Sequence, residues 1–111
     1  MKDDRVYLEY IQECIEQIQK YTKDGKTHFF ESTLIQDAVA RRLQTMAEST
    51  QRLSEMMKSS EADVDWKAIS GFRNILVHDY LGIDVDLIWR VIDNRLPGLS
   101  DTIERMIQKL K

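Results

Sequence analysis

Apolar residues recur near the start of the chain at steps of four and three: Tyr7, Ile11, Cys14, Ile18 and Tyr21. That spacing is one stripe of an α-helix and predicts a first helix over about Asp3 to Tyr21. "TKDGKTH" follows, polar and centred on Gly25, and is expected to be a turn. A second stripe starts after "EST", where Thr33 and Gln36 have the spacing of a capping box. It runs through Ile35, Val39, Leu43, Met46 and Leu53 to about Met57, a long helix suited to be the spine of a bundle. The methionines on it are expected to fill core space.

"KSSEADVD" is a polar connection, and Asp65 is a plausible N-cap for a third helix. Gly82 interrupts that helix, and Asp84 caps a short fourth marked by Leu87, Ile88, Val91 and Ile92. Pro97 and Gly98 break the pattern again before Leu99, Ile103, Met106 and Leu110. The expectation is an all-α, up-and-down bundle of about five helices forming one domain over 1–111. Five apolar faces in so short a chain leave apolar surface over, which suggests a homodimer.

Within the third helix, Trp66, Ile69, Arg73, Leu76 and Tyr80 form a single stripe with a guanidinium in its middle. An arginine cannot shed its charge, so it must reach water, pair with a carboxylate or receive an anion. Tyr80 falls on the side of Arg73. His78 lies about 140° away on an ideal helix of about 100° per residue. Convergence of the three needs a deformed helix end or a second chain. The chemistry suits RNA cleavage through the 2′-OH, since an imidazole titrates near neutrality and can move protons. Arg73 can grip the phosphorane-like transition state in a bidentate manner. Tyr80 would donate a hydrogen bond, and Asn74 and Asp79 could orient the imidazole or the phosphate. A helix-capping His, an ion-paired Arg and a packing Tyr account for the same spacing, so spacing alone leaves both readings open.

Composition narrows the class. Of 111 residues, 42% are apolar and 32% charged, the balance of a folded soluble chain, and the formal charge is −3. That argues against a broad basic face but leaves room for a small cationic site. Lys20, Lys23, Lys26, Arg41 and Arg42 are candidate RNA contacts, although solvated surface charge explains them better. Cys14 is the one cysteine, no zinc-ligand spacing occurs, and no apolar run has the length of a membrane helix. With no signal peptide, a cytoplasmic location is expected, with no cofactor and no metal.

"RNILVHDY" matches the R-x4-H-x-Y form of the HEPN superfamily motif, through Arg73, His78 and Tyr80. The chain resembles HepT-like toxins of HEPN–MNT toxin–antitoxin pairs over nearly its whole length. "DAVARRLQTMAESTQRLS" is similar to the family's second helix, with Ala47-Glu48-Ser49 where the family has Gly-Glu-Ala. "DWKAISGFRNILVHDYLGIDVDLIWRVIDNRLPGL" resembles its third and fourth helices. The resemblance implies a HEPN homodimer with two motifs facing each other, acting as a metal-independent endoribonuclease on tRNA or mRNA. Arg73 and His78 would then be catalytic and Asn74, Asp79, Tyr80 and Glu48 supporting, Glu48 as a structural partner of Arg73. It further implies an MNT-type nucleotidyltransferase antitoxin that transfers AMP to Tyr80, with ATP and magnesium bound by that partner. Two other classes stay open: a non-catalytic HEPN module that binds nucleotide or protein beside a nucleotidyltransferase, and a plain helical dimerisation protein.

Overall fold

The computed structural model describes residues 3–77 and 84–111, the side chains of 73–77 excepted. Every regular element among them is helical: α1 Asp4–Tyr21, α2 Lys26–Glu31, α3 Thr33–Gln51, α4 Glu55–Ser59, α5 Trp66–Val77, α6 Val85–Asn94 and α7 Leu96–Lys109. Helix α1 packs against α3 and α7, α3 also against α5, and α6 against α7. The all-α bundle is therefore as expected, with two short helices beyond the five.

Asp3 caps α1 by accepting from the Val6 amide at 3.3 Å. Ile11, Cys14 and Ile18 of the expected stripe are fully buried, while Tyr7 and Tyr21 are half-buried. Leu8 and Ile15 are buried too, because α1 is covered on two sides, by α3 and α7. One core joins the helices, with Phe29, Leu43, Met46, Ile88, Leu96, Ile103 and Met106 at its centre.

The segment read as a turn holds a helix. Gly25, at φ 95°, takes a backbone conformation that favours glycine and starts α2. A helix of six residues has little stability alone. This one is held by the fully buried Phe29 and by the Gln36 amide, which donates to the Phe29 carbonyl at 3.0 Å and the Phe30 carbonyl at 3.2 Å. Gln36 thus serves tertiary contacts rather than a capping box. The N-cap of α3 is Ser32, one residue before Thr33, with its hydroxyl accepting from the Ile35 amide at 3.1 Å.

The long second helix does not reach Met57. It ends at Gln51, where the buried Thr50 hydroxyl turns back to the Ala47 carbonyl at 2.7 Å. Ser54 then caps α4 by accepting from the Met57 amide at 3.1 Å. Asp4 grips this break from α1, accepting from the Ser54 amide at 2.8 Å and its hydroxyl at 2.7 Å. Leu53 and Met57 remain buried across the break.

Pro97 and Gly98 do not interrupt a helix; they lie in the first turn of α7, where a proline sacrifices no intrahelical bond. Arg95 alone separates α6 from α7. Leu110 caps the end of α7 and is 39% exposed, outside the core stripe.

Candidate active site

Helix α5 carries the first half of the motif, and its entry is firmly set. Asp65 caps it, accepting from the Ala68 amide at 3.0 Å. The Trp66 indole N–H, half-buried, donates to the Lys58 carbonyl at 3.1 Å and the Glu61 carbonyl at 3.2 Å. Ile69 and Phe72 then pack against the core. Arg73 and Asn74 follow directly on the same helix. His78, Asp79 and Tyr80 lie outside the described residues. The chain is described again at Asp84, whose carboxylate caps α6 by accepting from the Leu87 amide at 3.0 Å. Six residues, 78–83, therefore join α5, fixed at its start by Asp65 and Trp66, to α6, fixed at its start by Asp84.

Glu48 sits on α3, the helix that packs against α5; it is half-buried and already engaged by a neighbour. Beside α5 lies a cavity of about 270 Å³ with Ile69, Phe72, Val91 and Leu99 in its walls. Glu61 at its rim pairs with Arg105 at 2.9 Å and Lys109 at 2.7 Å. Hydrogen bonding from Arg105, then Lys109, holds the Glu61 carboxyl below the usual range, and the same contact raises Arg105. These pairs tie the connection before α5 to the last turn of α7.

The five candidate RNA cations differ in their surroundings. Lys20 and Lys23 are exposed. Arg41 reaches Gln44 at 3.5 Å. Arg42 is half-buried near Tyr21 and Cys14, which raise its pKa in that order against the opposing effect of burial. Cys14 is fully buried, its sulfur 3.7 Å from the Thr45 hydroxyl. Lys26 stands over the Phe30 ring at 5.8 Å and joins Arg90 and Trp89 in one groove. Arg90 and Trp89 escaped notice in the sequence, although Asp86, Trp89 and Arg90 have the spacing of one helical face. Among the described residues, no group of three His, Cys, Asp or Glu side chains could hold a metal ion, and no helix is long and apolar enough to cross a membrane.

Residues 11–106 match the family model "Ribonuclease HepT-like". The chain is 37% identical over 110 residues to the "Gamma-glutamylcyclotransferase and putative RNase" of Methanocaldococcus jannaschii, covering 98% of itself and 50% of that protein. It is 31% identical to a "Putative RNase" of Caldanaerobacter subterraneus, over the whole of both chains. It is 30% identical to the "Probable ribonuclease HepT" of Thermococcus cleftensis, covering 90% of itself and 92% of that protein. The chain thus spans half the length of the first of these relatives and nearly all of the other two. No solved structure matches.

Proposed function

We propose, starting from the fact that the chain belongs to the HepT-like ribonuclease family, that it is a metal-independent endoribonuclease and the toxin of a type VII-like HEPN/MNT toxin–antitoxin pair. The observation that carries this reading is Arg73-x4-His78-x-Tyr80 inside the matched region, beginning on a helix packed against the bundle core. Relatives of comparable length bear ribonuclease names, which supports the same activity.

In this reaction the ribose 2′-oxygen attacks the adjacent phosphorus. Its proton passes to a base, the P–O5′ bond breaks, and the leaving oxygen takes up a proton. The products are a 2′,3′-cyclic phosphate and a 5′-hydroxyl. His78 moves the protons, since its ordinary pKa of about 6.5 suits both directions of transfer. Arg73 stabilises the added charge on the phosphorane oxygens through paired hydrogen bonds. Asn74, Asp79 and Tyr80 orient these groups, and Glu48 supports α5 from α3. Two chains pair so that their motifs face one shared RNA site. A nucleotidyltransferase partner silences the enzyme by placing AMP on the Tyr80 oxygen.

Expression in a bacterial host tests both halves. The wild-type chain should arrest growth and His78→Ala should not. Co-expression with a nucleotidyltransferase encoded beside it should restore growth and add the mass of AMP to the Tyr80 peptide. Growth arrest by both chains would refute catalysis as the toxic act. Rescue with an unmodified Tyr80 peptide would refute the AMP step. Growth unaffected by either chain would favour a non-catalytic HEPN binding module.

A further inference from the structure

The groove between α2 and α6 carries chemistry that neither the motif nor the core uses. It encloses about 520 Å³ and is lined by Lys26, Phe30, Asp84, Asp86, Trp89 and Arg90. That volume falls in the roughly 300–1,000 Å³ range of small-ligand sites. Its aromatic side is built rather than incidental. Trp89 packs on the fully buried Phe29 at 5.4 Å with the planes 39° apart, and Phe30 meets Phe29 edge-on at 5.6 Å. The Gln36 amide fixes the carbonyls of both phenylalanines. Trp89 and Phe30 are each half-buried, so both present remaining ring surface in the groove. Lys26 and Arg90 are exposed cations, as is usual where a backbone phosphate is to be met.

The carboxylates decide what such a groove would hold. Two cations beside two aspartates give no net charge, so this is not a general anion patch. One oxygen of Asp84 already accepts from the Leu87 amide. Asp86 shares the helical face of Trp89 and Arg90. An aromatic shelf, a carboxylate at its edge and cations beyond it suit one unpaired nucleotide. The base stacks on Trp89 or Phe30, its amine-bearing edge donates to Asp86, and its phosphates meet Lys26 and Arg90. Guanine fits best, because its N1–H and N2–H lie parallel and match both carboxylate oxygens, whereas uracil has no exocyclic amine.

We propose that the α2–α6 groove is a nucleotide subsite that holds an unpaired, amine-bearing base, guanine before others, of the RNA presented to the motif. This rests on the ribonuclease reading for its substrate, and its test separates the two. Asp84 in the groove wall stands four positions after Tyr80 in the chain.

The test uses a Trp66→Phe, His78→Ala chain, in which Trp89 is the only tryptophan and RNA should stay intact. Two short RNAs are titrated: five uridines, and the same with guanine at the centre. Trp89 fluorescence should be quenched by the guanine RNA, which should bind about tenfold tighter than its counterpart, the scale of one base contact. Asp86→Asn should remove that preference. Lys26→Gln with Arg90→Gln should weaken both RNAs together and lower the salt slope by about 1.4, as for two single-strand phosphate contacts. All three sites are exposed, and circular dichroism should confirm unchanged helix content. Binding without Trp89 quenching, equal affinity for the two RNAs, or indifference to Asp86→Asn would overturn the subsite. RNA cleavage by the wild-type chain alongside such a result would leave the ribonuclease reading standing. Quenching with guanine preference in a chain whose wild type cuts nothing would do the reverse.

Discussion

Replacing Phe29 by leucine probes α2, a helix that the apolar pattern did not reveal. Phe29 is fully buried and is the buried residue of α2. Leucine keeps most of the apolar area but loses two ring contacts, to Phe30 at 5.6 Å and to Trp89 at 5.4 Å. Each such pair contributes about 0.5–1.5 kcal/mol beyond burial, so the two together contribute about 1–3 kcal/mol. The smaller side chain adds a modest cavity cost, and full truncation to alanine should reach about 3–5 kcal/mol. Against a total of about 5–15 kcal/mol, the leucine variant should remain folded. At about 2.1 cal/mol/K per residue, 111 residues give about 0.23 kcal/mol/K, so a loss of about 2 kcal/mol lowers Tm by roughly 9 °C. Thermal unfolding followed by helix ellipticity and by tryptophan emission measures the loss, and both probes should report one transition. A midpoint within 2 °C of wild type for leucine, and for alanine as well, would refute the claim that α2 is an integral part of the bundle.

Ser54→Ala removes the cap of α4 and the hydroxyl bond to Asp4, and should cost about 1–2 kcal/mol, read as a Tm fall of roughly 4–9 °C. Ser54→Thr should recover most of that loss; an alanine variant as stable as wild type would show that the Ser54 hydroxyl does not hold the break. Glu61 has its pKa lowered by Arg105 and Lys109, so its contribution to stability is present above its unfolded pKa and lost as pH falls through the folded one. Urea midpoints should therefore separate wild type from Glu61→Gln at neutral pH and converge on acidification; a gap that widens toward acid would contradict the assignment.

The sequence made the caps and the broad faces legible because both are local. Asp65 and Asp84 cap α5 and α6 as expected, and Leu99, Ile103 and Met106 line the buried face of α7. What escaped it is tertiary. Helix α2 has too few residues for a period to show and is held by Phe29 and by Gln36 from the next helix. The break after Gln51 is invisible in the apolar spacing because Leu53 and Met57 stay on the core side, and what sets it is Asp4, fifty positions away from Ser54. Arg42, which spacing would leave in solvent, is half-buried near Tyr21 and Cys14. Of the candidate site, Arg73 and Asn74 lie on α5 and Glu48 on the adjoining α3, while His78, Asp79 and Tyr80 fall outside the described residues. The motif was legible as spacing and residue type, which state the chemistry it can do but not how its groups meet.

Cleavage of tRNA and total RNA by purified chain in excess EDTA, with His78→Ala and Arg73→Ala beside the wild type, tests the central claim most directly. The account predicts cutting by the wild type alone, with 2′,3′-cyclic phosphate at the new ends. Cleavage that EDTA abolishes, or that persists in His78→Ala, would contradict it.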